Sequence, residues 1–247
     1  MTATSPFLLL DVGNSAIKWR LGDARGLRQE GGESNTVAAL CTALAGNDWY
    51  HVALASVAGD EPDSELIGAL QSLRHTPVWH AVPQRACLGV TNSYADPHTM
   101  GVDRWVAMIG AWCEFGGPLC VVDAGTAITV DLLDGDGQHE GGFILPGVDL
   151  MRRALSSGTG RIRVDALSAP DIAPGTSTQA CVSAGVWRAT VGAIRVLLSD
   201  FADHRAVITG GHASLLLSLG VVADARPDLV LEGLRLSLIQ RLDDRSP

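Results

Sequence analysis

Residues 7–20 read FLLLDVGNSAIKWR, and their pattern indicates how the chain begins to fold. Its first four residues form an apolar run that is too short for a helix and is stopped by a polar turn, which predicts a buried strand. The residues after the turn alternate between apolar and polar, which predicts a second strand. Asp11 therefore ends a buried strand, beside a turn in which Gly13 leaves the backbone N–H groups open and Asn14 and Ser15 add polar groups. This combination suits a phosphate and metal site.

The same arrangement returns at residues 119–131, which read LCVVDAGTAITVD. Asp123 follows Asp11 by 112 residues, close to half of the 247-residue chain. A repeat on this scale predicts two similar domains, each with one phosphate loop. The alternative is two ordinary hairpins whose strands happen to end in Asp, but the matching context and spacing favour nucleotide binding.

Composition excludes several classes of protein. The chain is 47% hydrophobic and 18% charged, which predicts a large core. Its net charge of −9 disfavours nucleic acid as the main partner, although an amide-lined loop on an acidic protein can still bind phosphate. Five cysteines without a Cys-x-x-Cys pair indicate reduced core residues in a cytoplasmic protein. We see no signal peptide and no apolar run long enough for a membrane span.

The remaining elements alternate strands with helices, which predicts an α/β protein. Two glycines and a proline near residue 117 mark the boundary between a domain at 1–116 and one at 117–247. Three further segments lack a clear period and are predicted as turns or loops: 26–35, 135–142 and 156–178. A strong amphipathic helix is predicted at 182–201, packing on a sheet or a partner subunit.

Two short segments add candidate ligand contacts. Asp103 and Arg104 fall in the first turn of a predicted helix, just after a loop rich in turn-forming residues. An Asp favoured by the helix dipole and a solvated Arg would give the same pattern. Gly210 and Gly211 end an apolar strand, where they admit a ligand or simply make a tight strand-to-helix turn.

Taken in order, these motifs resemble those of the type III pantothenate kinases, over residues 8 to about 235. The matching motifs are Asp11-Val-Gly-Asn-Ser with Lys18, Tyr94 and Pro97 with Gly101-x-Asp103-Arg104, Asp123-Ala-Gly-Thr126, Gly141 to Gly147, and Thr209-Gly-Gly-x-Ala213. The resemblance implies an α/β fold of two ribonuclease-H-like domains with mixed sheets flanked by helices, ATP in the interdomain cleft, and membership of the actin, Hsp70 and sugar-kinase superfamily.

The resemblance also implies a function. Family members phosphorylate pantothenate with ATP to give 4'-phosphopantothenate, the first step of coenzyme A biosynthesis. They use Mg²⁺ and a monovalent cation, K⁺ or NH₄⁺, and are cytoplasmic homodimers. No membrane or nucleic-acid partner is expected.

Site residues carry over by position. Asp103 matches the general base, and Asp123 matches the residue associated with the monovalent cation. Asp11 would face Mg²⁺ through the phosphates. The implied substrate contacts are Tyr94, Gly101, Val102, Asp103, Arg104 and Thr178. The implied ATP contacts are Asp11, Val12, Gly13, Asn14, Ser15, Ala16, Ile17, Lys18, Thr126, Gly210 and Gly211. Ser15 stands where many members have Thr and keeps the hydroxyl.

Two alternatives stay open at the level of sequence. One is a kinase of the same superfamily that acts on another small alcohol, because the fold does not fix the acceptor. The other is an accessory regulatory protein without kinase activity. The presence of all the matched carboxylates favours an enzyme.

Overall fold

The computed structural model describes residues 5–160, 162, 164 and 171–245. The pair Arg161 and Arg163 and most of the central part of the predicted 156–178 loop lie outside these residues. The chain divides into two compact units. The first contains residues 1–116, 137–139 and 228–247, and the second contains residues 117–136 and 140–227.

Strands and helices alternate along the chain, as the sequence pattern predicts. The strands are β1 (Phe7–Val12), β2 (Ile17–Asp23), β3 (Gly26–Ser34), β4 (His51–Ser56), β5 (Val78–His80), β6 (Ala86–Cys87), β7 (Val90–Thr91), β8 (Leu119–Ala124), β9 (Ala127–Leu133), β10 (His139–Pro146), β11 (Arg205–Thr209) and β12 (Asp224–Ala225). The helices are α1 (Val37–Leu44), α2 (Asp60–Leu73), α3 (Val102–Phe115), α4 (Val148–Gly158), α5 (Thr178–Asp200), α6 (Ala213–Ser218) and α7 (Leu229–Asp243), with a 3₁₀ turn at Pro97–Thr99.

Each unit contains one five-stranded mixed sheet, and the two sheets have the same topology. The strand orders are β3-β2-β1-β4-β5 and β10-β9-β8-β11-β12. In the first sheet β2 pairs antiparallel with β1 and β3, while β4 pairs parallel with β1 and β5. In the second, β8 pairs antiparallel with β9 and parallel with β11. The predicted pair of ribonuclease-H-like units with mixed sheets flanked by helices is confirmed.

The last helix belongs to the first unit, whereas the sequence-based division placed all of residues 117–247 in the second domain. The reason is a close crossing of α7 and α3 at two glycines. A Cβ added at Gly110 would lie 2.7 Å from the carbonyl oxygen of Leu229, and one added at Gly233 would overlap the carbonyl of Val106. Small residues let the two backbones approach, and α7 then buries its apolar side chains on this unit.

Buried central strands explain why the two motifs begin with apolar runs. Leu8, Leu9 and Leu10 are all fully buried, so both faces of β1 are covered. The predicted turns at 26–35 and 135–142 are instead occupied largely by the edge strands β3 and β10. Their side chains are mostly exposed or half-buried, so they lack the apolar alternation that identifies a strand.

Helix α5 begins at Thr178, four residues before the predicted start, because Ser177 caps it by accepting a hydrogen bond from the N–H of Ala180 at 3.2 Å. By length and composition this helix could cross a membrane. It also provides Val186, Trp187 and other buried side chains to the core of the second unit, and a core helix passes the same test.

The cysteines are only partly as predicted. All five are free thiols, and Cys120 on β8 is fully buried. Burial raises the pKa of Cys120 to about 12, with a further contribution from Asp131, so this thiol stays protonated. Cys113 and Cys181 are exposed, because each occupies a helix position outside the buried stripe.

Candidate active site

The first predicted phosphate loop connects β1 to β2 in the first unit. Asp11 pairs with Lys18 across the two strands, and Val12 with Ile17. The N–H of Gly13 closes the turn by donating to the carbonyl oxygen of Ala16 at 3.0 Å. Asp11 is half-buried near the end of β1, between Leu10, which is fully buried, and Val12, which is nearly so. The loop thus presents its carboxylate and its turn residues at one strand end.

A cavity of about 480 Å³ borders this loop. Its lining includes all six residues from Val12 to Ile17, Thr36 at the start of α1, and Glu65 on α2. Such a volume is within the range of small-molecule sites. The structure therefore groups the predicted contacts Val12, Gly13, Asn14, Ser15, Ala16 and Ile17 around one concave surface.

The predicted acceptor residues come together at the start of α3 in the same unit. The guanidinium of Arg104 is buried, and its Nη1 donates to the hydroxyl oxygen of Tyr94 at 3.0 Å. The same guanidinium carbon lies 5.8 Å from the centre of the Tyr94 ring. Arg104 is therefore not the solvated side chain of the alternative interpretation. Its charge is withdrawn from water and directed by an aromatic partner.

The position of the Asp103 carboxylate depends on the glycine two residues before it. Gly101 caps α3, and a Cβ at that position would lie 2.5 Å from Oδ1 of Asp103. That same oxygen accepts a hydrogen bond from the N–H of Arg104 at 2.8 Å. Gly101 is thus required for space rather than for backbone conformation, since its φ is −61°. Val102 is buried and anchors the helix start.

The loop before α3 is held by groups that the motifs do not include. Arg85 donates to the carbonyl oxygens of Asn92, Tyr94 and Ala95 at 2.8–2.9 Å. Asn92 is 1% exposed, and its Oδ1 accepts from the N–H of Tyr94 at 2.9 Å. His139, also 1% exposed, stacks on the Tyr94 ring. Sequence reasoning missed all three, since no spacing relates Arg85 or His139 to Tyr94.

The second predicted phosphate loop connects β8 to β9 in the second unit. The N–H of Gly125 donates to the carbonyl oxygen of Ala127 at 3.1 Å, so this turn is one residue shorter than that of the first loop. The carbonyl of Thr126 accepts from the N–H of Gly147 at 3.1 Å. A Cβ at Gly147 would overlap that carbonyl, so a glycine is needed for this contact. The loop and the 141–147 motif thus meet.

Gly210 lies against the same loop. Thr209 pairs with Asp123 between the parallel strands β11 and β8, and the next residue, Gly210, has a φ of +93°. A Cβ on Gly210 would overlap Oδ1 of Asp123 and approach the backbone of Ala124 to 2.6 Å. The structure therefore brings Asp123 and Gly210 into contact, while Gly211 is exposed beside them.

Thr178 belongs to neither group. It is the first residue of α5, is exposed, and lines a largely apolar cavity of about 680 Å³ formed by α4, α5 and Ile162. Within the second unit it is part of this groove and not of the loop around Asp123.

Asp11 and Asp123, the candidate metal ligands, each suit a cation that other groups bind as well. No group of three or more His, Cys, Asp or Glu side chains capable of holding a metal occurs among the residues that the structure describes. Mg²⁺ is commonly bound by one or two carboxylates together with substrate phosphates. Asp11 at a strand end beside open turn residues suits that mode. Asp123, with space beside its Oδ1 that only a glycine leaves, suits a cation that also takes backbone carbonyl oxygens.

Comparison with known proteins identifies similar sequences in one family. The sequence model of the type III pantothenate kinase family matches residues 7–200. A type III pantothenate kinase of Marinobacter nauticus is 34% identical over 232 residues, which cover 92% of this chain and 96% of that protein.

Solved structures show the same fold. A Campylobacter jejuni protein described provisionally as a Baf family transcriptional activator has a TM-score of 0.59 and 22% identity, covering 96% of this chain and 99% of its own. A ROK family glucokinase from Streptomyces griseus, in complex with glucose and AMPPNP, has a TM-score of 0.50 and 13% identity, covering 96% and 100%.

Proposed function

The chain belongs to the type III pantothenate kinase family, and from that membership we propose that it transfers the terminal phosphoryl group of ATP to the primary hydroxyl of pantothenate. The product is 4'-phosphopantothenate, in the first step of coenzyme A biosynthesis. The observation that carries the proposal is the group formed by Tyr94, Gly101, Asp103 and Arg104 at the start of α3. It offers a carboxylate and a buried cation within two successive residues.

Asp103 is the proposed general base. Phosphoryl transfer needs positioning and charge neutralisation, together with a group that accepts the proton of the attacking hydroxyl. The Arg104 N–H holds one carboxylate oxygen of Asp103 at 2.8 Å, which fixes its orientation. The pantothenate hydroxyl donates its proton to this carboxylate as its oxygen attacks the γ-phosphorus of ATP, and the bond from that phosphorus to the β,γ-bridging oxygen breaks to release ADP.

Arg104 is the proposed contact of the pantothenate carboxylate, with Tyr94 beside it. A guanidinium binds a carboxylate with two parallel hydrogen bonds, and burial strengthens them. Nη1 is already directed by the Tyr94 hydroxyl at 3.0 Å. The guanidinium is held in place before a carboxylate binds, so binding costs less conformational entropy. Thr178 remains a proposed further contact.

ATP is proposed to contact two groups of backbone. Residues Asp11 to Lys18 form one, and Thr126 with Gly210 and Gly211, which follow β11, form the other. Their open backbone N–H groups suit phosphate oxygens. Asp11 is the proposed ligand toward Mg²⁺, and Asp123 toward K⁺ or NH₄⁺. Bound Mg²⁺ supplies neutralisation of the charge that develops on the phosphoryl group.

We also propose a cytoplasmic homodimer. The apolar groove that includes Thr178 and Cys181 on α5 offers the kind of surface that a second subunit covers. A sedimentation experiment on the purified chain tests this part alone. A monomer at all concentrations up to those used for assay would refute it.

The decisive experiment is ATP- and Mg²⁺-dependent phosphorylation of pantothenate by the purified protein, with and without K⁺. A panel of other small alcohols, including hexoses and glycerol, is assayed in parallel. We expect turnover with pantothenate and with none of the other alcohols. Turnover with another alcohol and not with pantothenate would mean that the other alcohol is the acceptor. A lack of ATP-dependent turnover with every acceptor would favour an accessory protein without kinase activity.

A further inference from the structure

We propose that His139 is a positioning residue for the acceptor site, and that it sets the direction of the Arg104 guanidinium by fixing the ring of Tyr94. The inference rests on the proposed function, because Tyr94 and Arg104 are the proposed pantothenate contacts. His139 is the first residue of β10 and belongs to none of the motifs that identify the family.

Two contacts fix the imidazole of His139. Its ring is stacked on that of Tyr94, with centroids 6.0 Å apart and planes inclined by 29°. Its Nδ1 lies 2.9 Å from Oγ of Ser93. Offset stacking at such a separation is a favourable arrangement of two rings, and the hydrogen bond prevents the imidazole from turning about its own axis. The imidazole, which is 1% exposed, thus limits the movement of the Tyr94 ring beside it.

The backbone that carries His139 is held just as closely. The carbonyl oxygen of Gly137 accepts from the N–H of Thr91 at 2.9 Å, and Nε2 of Gln138 donates to the carbonyl of Thr91 at 3.3 Å. Gly137 has a φ of +80°, and a Cβ there would overlap the carbonyl of Gly89. Residues 137–139 therefore extend the small β6–β7 hairpin, and in this position the imidazole of His139 contacts Tyr94.

Tyr94 passes this constraint to Arg104. Its hydroxyl oxygen accepts from Nη1 of Arg104 at 3.0 Å, and its ring lies 5.8 Å from the guanidinium carbon. The three side chains thus make a continuous series of contacts from His139 through Tyr94 to Arg104. If the imidazole is removed, the half-buried tyrosine ring gains room to rotate, and the hydroxyl that accepts from the guanidinium is no longer held in place.

A buried histidine that only fills a core would give similar burial, so the test must separate positioning from stability. His139→Asn keeps a hydrogen-bonding group but removes the ring, whereas His139→Phe keeps the ring and removes the hydrogen bond. His80→Asn, at an exposed position of β5 in the same unit, is the matched control.

We expect His139→Asn to raise the KM for pantothenate roughly three- to tenfold, the range that the loss of one aromatic pair gives, with the KM for ATP unchanged. His139→Phe is expected to restore most of the pantothenate KM. Equal increases in the two variants, or an increase of both KM values that follows the loss of thermal stability, would overturn the proposal.

A second measurement needs no activity. The chain has two tyrosines, so incorporation of 3-fluorotyrosine gives two ¹⁹F resonances, and Tyr50→Phe assigns that of Tyr94. We expect His139→Asn to shift the Tyr94 resonance and His139→Phe to return it toward that of the unsubstituted chain. An unmoved resonance in His139→Asn overturns the positioning role. A moved resonance in a protein that does not phosphorylate pantothenate supports the positioning role and refutes the proposed function instead.

Discussion

The Nη1 atom of Arg104 donates a hydrogen bond across 3.0 Å to the hydroxyl oxygen of Tyr94. Arg104 is only 6% exposed, so this hydrogen bond is shielded from water. Tyr94→Phe removes this oxygen and keeps the ring. Loss of one hydrogen bond to a charged group costs about 1.5–3 kcal/mol, so we expect the KM for pantothenate to rise about tenfold or more, with a smaller change in kcat. Steady-state kinetics in both substrates test this, and an unchanged KM would contradict the assignment.

Asp103→Asn is expected to reduce kcat roughly 10²- to 10⁴-fold, which is the usual contribution of a general base. ATP binding, measured by calorimetry, should survive, because no ATP contact is proposed for Asp103. Asp60→Asn is the control, since Asp60 is an exposed acidic residue in the first turn of α2. Loss of ATP binding in Asp103→Asn would show that this carboxylate has a different role.

Arg85→Met tests the group that holds the acceptor loop. The substitution keeps an unbranched apolar stem and removes the hydrogen bonds to the carbonyl oxygens of Asn92, Tyr94 and Ala95. Because Arg85 is exposed, solvent replaces part of what is lost, and we expect a cost of only about 1–2 kcal/mol. Hydrogen exchange at residues 92–95 should accelerate more than exchange in β1. Uniform acceleration across the first unit would mean that Arg85 supports the whole fold.

Gly210→Ala tests the contact with Asp123. The residue has a φ of +93°, and the new Cβ would overlap Oδ1 of Asp123. We expect a loss of about 1–3 kcal/mol in the free energy of unfolding, together with weaker stimulation by K⁺. Gly211→Ala is the control for stability, since a Cβ there meets nothing within 4 Å. Similar losses of stability in both variants would show that the overlap is not the cause.

His204 predicts a pH dependence of stability. Its Nε2 lies 3.0 Å from Glu140 and its Nδ1 2.9 Å from Asp203. Burial opposes the charged form, but the hydrogen bonds to the two carboxylates outweigh it and raise the pKa of His204 above 6.5. A raised folded-state pKa stabilises the protein fully below the unfolded value and ceases to do so as the pH rises through the folded value. Stability from this group is therefore lost as the pH rises above about 6.5.

Thermal melts of the unsubstituted chain and Glu140→Gln between about pH 5.5 and 8.5 measure this effect as a difference. The difference is needed because burial lowers the pKa of His51, which changes stability in the opposite direction. We expect the destabilisation by Glu140→Gln to be larger at the acidic end. A destabilisation that is independent of pH would contradict the charged state of His204.

Much of the site was predictable because it is local in sequence. Each phosphate loop is a strand end, a glycine turn and a second strand, and the period of the apolar residues marks both strands. Asp103 and Arg104 are adjacent, and their place in the first turn of α3 follows from the loop before it and the apolar stripe after it. The roles proposed for these residues all remain predictions.

The edge strands β3 and β10 could not be predicted in the same way. A strand with one neighbour buries few side chains, so polar and glycine-rich sequences are compatible with it. The unit to which α7 belongs could not be predicted, because it is decided by the contact of Gly110 on α3 with α7 and of Gly233 on α7 with α3, and these glycines are more than a hundred residues apart.

Neighbours along the chain fix the order of elements, the two loops and the carboxylates at their strand ends, so these features can be predicted from the sequence. Three contacts became visible only in the folded protein: His139 stacks on Tyr94, Arg85 holds the acceptor loop, and Gly210 leaves room for Asp123. Such contacts join residues with no shared period, and they form only when packing of the apolar faces brings distant segments together.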